Sequence, residues 1–76
     1  MDTLPQKRQI VEAAQRLTHK GFLMATGGNL SLRIPGESAF AVTPSNFDYF
    51  KMTPDDICVL DFELNLLEGQ HKPSVE

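Results

Sequence analysis

A single cysteine, Cys58, in a chain of 76 residues removes the staples that usually hold so small a protein together. No internal disulfide can form, and no Cys/His pair has zinc-type spacing. A domain of this size buries only about 60% of the surface its unfolded chain exposes. Such a chain must rely on helices, on association or on further polypeptide. The bound is one domain or less.

The class is that of an ordinary soluble globular chain, with 41% hydrophobic and 22% charged residues. No apolar run approaches the roughly 18 residues a membrane helix needs. Met1-Asp2-Thr3-Leu4-Pro5 lacks the basic-then-apolar order of a secretion signal, so a cytoplasmic location is expected. The net charge of −3 divides into +3 over residues 1–36 and −6 over residues 37–76. The cations Lys7, Arg8, Arg16, Lys20 and Arg33 are dispersed and do not alternate with aromatics, which argues against a nucleic-acid partner.

The chain opens with a helix signal. Pro5 suits a first helical turn, where its missing N–H has no intrahelical partner to lose. Ile10, Ala13, Ala14 and Leu17 recur at the spacing of one buried helical face. His19 and Lys20 fall where cations favour the C-terminal dipole, and Gly21 suits the left-handed residue beyond it. After a loop of small residues, Ala25-Thr26-Gly27-Gly28-Asn29, the stretch Leu30-Ser31-Leu32-Arg33-Ile34 alternates like a half-buried strand. Pro35-Gly36-Glu37 reads as a turn. Ala39-Phe40-Ala41-Val42-Thr43 then completes a hairpin, and Pro44 stops it because proline cannot donate to a ladder.

Residues 46–51 read as a short helical turn and Thr53-Pro54-Asp55-Asp56 as a capped helix start. Ile57-Cys58-Val59-Leu60 is apolar enough for a central strand, in which Cys58 serves as a small buried hydrophobe. Glu63-Leu64-Asn65 is a turn that returns through Leu66 and Leu67. Phe47, Tyr49 and Phe50 are read as packing on the sheet. Strands interspersed with helices imply an α/β fold of about four strands with a helix over one face. The last loop reaches Glu76 with no element to receive it, so residues 1–76 read as the N-terminal part of a single domain.

Three short segments next to strands share small and hydroxyl-bearing residues: Thr26-Gly27-Gly28-Asn29, Thr43-Pro44-Ser45-Asn46 and Pro73-Ser74-Val75-Glu76. Taken singly, each is a plain turn. Brought together, they could hold a phosphate or a polyhydroxylated sugar through backbone N–H groups and neutral side chains. Neither a P-loop nor a dinucleotide-binding glycine signature is present.

In order, ATGGNLSLR, TPSNFDYFKMTPDDICVLD and EG-x-x-KPSVE resemble the class II aldolase/adducin N-terminal family over almost the whole chain, from about Arg8 to Glu76. The resemblance implies a layered α/β/α fold around a largely antiparallel sheet, of which this chain holds the N-terminal portion. It implies that Gly28 and Asn29, then Ser45 and Asn46, then Ser74 hold the substrate phosphate, and that Glu76 is the catalytic acid/base. Two positions depart from the family pattern. Asn46 stands for a glycine, which Asn can replace in left-handed backbone; Val75 stands for a serine and removes a hydroxyl.

The family also implies a divalent metal, zinc, bound by histidines beyond the glutamate motif. A catalytic zinc needs three protein ligands and an open position. This chain holds only His19, explained by the helix dipole, and His71, read as solvent-exposed in a polar loop. The expected function is therefore part of a metal-dependent class II aldolase-type lyase acting on a sugar or sugar phosphate, with a homo-oligomer plausible from the family. A non-catalytic adducin-like interaction module and an inactive remnant stay open beside it.

Overall fold

The computed structural model describes residues 1–21 and 29–74. Helix α1 runs Leu4–His19 with Pro5 in its first turn. It ends as the sequence dictates: Lys20 caps it, and Gly21 takes φ 83°, a left-handed conformation that costs glycine nothing. Its buried residues are Ile10, Val11, Ala14 and Thr18. The stripe is thus rotated from the expected one. Ile10 and Ala14 stay in it, Ala13 and Leu17 are only half-buried, and Val11 and Thr18 replace them. Thr3 does not cap the helix with its hydroxyl. That hydroxyl donates 2.6 Å to Glu68 Oε1, which also takes the Lys7 ammonium at 2.7 Å. These two bonds tie the start of α1 to the last strand.

Among the described residues four strands follow in an all-antiparallel meander: β1 Ser31–Arg33, β2 Ala39–Val42, β3 Cys58–Asp61 and β4 Leu66–Glu68, ordered β1-β2-β3-β4 across the sheet. Register pairs Leu32 with Ala41 and Ala41 with Val59, so alternate residues of β2 and β3 share a face. Ala39, Ala41 and Val59 join Ile10, Val11 and Ala14 of α1 in the main core, with Ile34, Tyr49, Met52 and Ile57 closing its ends. Burying a side chain such as Ile57 contributes about 1.5–3 kcal/mol. The opposite face carries Val42, Cys58 and Leu60, with Phe40 packed on them. Phe62 stacks on Phe40 there at 6.4 Å, and the Arg33 guanidinium lies 5.5 Å from the Phe62 ring centre. The α/β reading and the antiparallel sheet hold, with the helix and sheet layers both among the described residues.

Between β2 and β3 the chain makes two 3-10 turns, Tyr49–Lys51 and Pro54–Asp56. The Gln15 side chain holds the first one against α1 by donating to the carbonyls of Tyr49 and Met52, at 3.1 and 3.2 Å. In the second, the Thr53 N–H and hydroxyl both donate to Asp56 Oδ2, at 2.8 and 3.1 Å. Of the three aromatics expected to pack, Tyr49 is buried and Phe47 half-buried, but Phe50 is 56% exposed. Phe50 sits in the middle of the first turn, with its side chain left to solvent.

Candidate functional site

The meander brings the start of β1, the end of β2 and the end of β4 to the same end of the sheet. Thr43, fully buried, stands at their meeting point. Its N–H donates to the Leu30 carbonyl at 3.0 Å, and its carbonyl accepts the Ser74 N–H at 3.0 Å. Its hydroxyl accepts the Leu30 N–H at 3.3 Å and the Tyr49 hydroxyl at 3.2 Å. One threonine therefore joins Leu30, next to Asn29, to the second and the third segments.

The second and third segments are also bridged directly. Pro44 pairs antiparallel with Pro73, and the Ser45 N–H donates to the Lys72 carbonyl at 2.7 Å. In such a bridge the two facing residues exchange no N–H bonds, while their neighbours do. Both prolines thus occupy the one position where a missing N–H costs nothing. Pro44 ends β2 as expected, but it also begins this second pairing.

Asn29, Ser45, Asn46 and Ser74 all lie on these joined segments, with Asn29 and Asn46 exposed and Ser45 and Ser74 half-buried. Asn46 takes φ 55°, the left-handed conformation expected of a residue standing for glycine. Gly28 and Glu76, with Thr26, Gly27 and Val75, lie outside the described residues. A shallow, mostly apolar cleft of about 230 Å³ lies elsewhere, between α1 and β1, lined by residues such as Ile10, Ala13 and Leu32. It contains none of the candidate polar groups, and the chemistry of the joined segments outweighs its size.

His71 is not simply exposed. Its Nε2 lies 2.9 Å from Asp56 Oδ1, and its ring sits 4.9 Å from that of Phe47, tilted by 55°. Burial opposes ionisation of Asp56, but bonds from the Thr53 N–H, His71 and the Thr53 hydroxyl outweigh it and hold the carboxyl below its ordinary value. Asp56 thus serves the turn, as its sequence position suggests, and His71 as well. Burial pushes the Cys58 thiol up, which fits an inert core residue. Among the described residues no group of three or more His, Cys, Asp or Glu side chains could hold a metal ion. A metal centre of the family kind does not fit the residues described.

Comparison with known proteins gives a consistent picture. The family model "Class II Aldolase and Adducin N-terminal domain" matches residues 8–76. The 5-deoxy-D-ribulose 1-phosphate aldolase of Bacillus thuringiensis serovar kurstaki is 30% identical over 71 residues, 93% of this chain and 33% of that protein. The methylthioribulose-1-phosphate dehydratase of Pseudoalteromonas translucida is 38% identical over 68 residues, 90% of this chain and 31% of that protein. An L-fuculose 1-phosphate aldolase structure superposes with a TM-score of 0.89 at 32% identity, covering 97% of this chain and 35% of that one. The chain spans about a third of the length of the relatives it matches.

Proposed function

The chain belongs to the class II aldolase and adducin N-terminal domain family, and on that premise we propose that it is the substrate-holding part of a metal-dependent class II aldolase-type lyase acting on a sugar phosphate. The observation that carries this reading is that Thr43, in the second segment, bonds both Leu30, next to Asn29, and Ser74 of the third. The relatives it resembles are named for work on phosphorylated sugars or their derivatives.

The backbone N–H groups of Ser45 and Ser74 are engaged in joining the segments. The donors offered to a phosphate are then the hydroxyls of Ser45 and Ser74 and the side-chain amides of Asn29 and Asn46, with Gly28 giving backbone access. These donors are neutral, so they orient the anion without a fixed countercharge, and orientation is itself a large share of catalysis. Glu76 follows Ser74 by two residues, so the chain that fixes the phosphate also sets the reach of the acid/base. Its task is proton transfer at the carbon or oxygen being cleaved. The divalent metal, zinc in the family resemblance, would supply Lewis-acid chemistry to the substrate oxygens. It finds no ligand set among the described residues.

The test is aldehyde release from a panel of phosphorylated and unphosphorylated ketoses by the full protein. Phosphorylated substrates are expected to be cleaved preferentially. Asn46→Asp, which sets a negative charge beside the phosphate, should raise KM at least about tenfold with little change in kcat. Glu76→Gln should lower kcat by about 10²–10⁴. Equal activity toward unphosphorylated ketoses would remove the phosphate-holding role. No cleavage at all, with a stable self-association, would favour the interaction-module reading.

A further inference from the structure

We propose that His71 is a positioning residue: through its pair with Asp56 and its contact with Phe47 it latches the stretch that leads into the third segment onto the turns that follow the second. The inference rests on the reading that these segments hold substrate, but its physical content stands in the free protein.

The stretch that leads into the third segment leaves β4 at Gly69, and among the described residues no helix or strand holds it. What fixes it is a short series of bonds from one stretch of chain. The His71 carbonyl accepts the Cys58 thiol at 3.4 Å, the Lys72 carbonyl accepts the Ser45 N–H, and the Ser74 N–H reaches Thr43. The His71 ring is the one side chain of this stretch seen bonded to the 3-10 turn before β3, and it also rests against Phe47, one residue beyond Asn46. It therefore touches the turn and the residue that follows the second segment while standing three residues from Ser74.

Of the charged and titratable groups on the elements near it, Asp56 and the exposed Asp55 come from the turn, Cys58 from β3, and Lys72 from its own segment, while Lys7 of α1 acts on Cys58. Asp56 is the carboxylate in contact with the ring, and although burial opposes it, bonds from Thr53 and His71 hold its carboxyl below the ordinary range. A neutral His71 can keep one hydrogen bond to it. A charged His71 adds attraction, screened because the two side chains keep 35% and 20% of their surface exposed.

Amide hydrogen exchange on the full protein, without ligand, reads the latch directly. Protection factors, corrected for intrinsic exchange, are compared in the wild type, His71→Gln and His71→Ala for Ser45 and Ser74, with Ile34 at the opposite end of the sheet as reference. His71→Ala should lower protection at Ser45 and Ser74 about three- to fivefold, with Ile34 unchanged. His71→Gln, which keeps a neutral hydrogen bond, should restore most of it. Equal protection in all three proteins, or a loss at Ile34 as large as at Ser45 and Ser74, would overturn the proposal. Because no substrate is present, either result leaves the lyase assay to be judged on its own.

Discussion

The two ends of the sheet are built on different principles. At the end where β1 turns into β2 and β3 into β4, each connection is closed by its own residues. The Glu37 N–H bonds to the Ile34 carbonyl, and the Asp61 carboxylate takes the N–H groups of Glu63 and Asn65 and the Asn65 side chain. At the other end, Leu30, Thr43, Ser45, Lys72 and Ser74 bond across segments far apart in the chain. Short-range closure makes one end insensitive to the rest of the molecule. Long-range closure gives the other end a surface assembled from three segments, and makes each of them depend on the others.

The largest contrast is expected at two glycines. Gly69, at the segment end, has φ 132°, and a Cβ there would lie 3.1 Å from the Cys58 Cα. Gly69→Ala should cost about 3 kcal/mol in chemical denaturation, combining backbone strain with overpacking against a strand that cannot yield. Gly36, in the turn at the opposite end, has φ 77° but open space around it. Gly36→Ala should cost only about 1 kcal/mol. Equal losses would erase the distinction between the ends.

Thr43→Val comes next, at about 2 kcal/mol, because it removes the acceptor of both the Leu30 N–H and the Tyr49 hydroxyl inside the core. Combined with Tyr49→Phe, the loss should be less than the sum of the two single losses. An additive pair would mean the bond is not a link in the assembly. Asn46→Ala should cost about 1 kcal/mol for its left-handed backbone, and Asn46→Gly should be neutral or slightly stabilising.

How far the sequence carried the reading follows the same division. The turn end was legible, because Pro35-Gly36 and Glu63-Leu64-Asn65 act through their own backbone. Helix α1 was legible in extent but not in its buried stripe. Periodicity marks a face, whereas the position of the sheet decides that Val11 and Thr18 replace Ala13 and Leu17. At the segment end, composition flagged Ser45, Asn46 and Ser74 as donors and the family resemblance grouped them. Their joining through Thr43, the Pro44–Pro73 bridge and the His71–Asp56 pair were not legible, since each partner is named by the fold and not by its neighbours.

The smallest expected effect is in acid. Bonds from Asn65 and Glu63 hold the Asp61 carboxyl below its ordinary value, and the Lys7 and Thr3 bonds do the same for Glu68. A depressed carboxyl contributes stability that is present above its unfolded value and is lost as pH falls through the folded one. Stability should therefore decline below the ordinary carboxylate range. Asp61→Asn should flatten part of that decline without altering Ser45 or Ser74 protection, since it acts at the opposite end.

The most direct measurement is a titration of the protein with inorganic phosphate, followed by amide chemical shifts. The amides of Asn29, Ser45, Asn46 and Ser74 should move together along one binding curve, with Ile34 and Leu64 unmoved. Shifts confined to one segment, or scattered over lysines and arginines with these four residues still, would contradict a phosphate site assembled at Thr43.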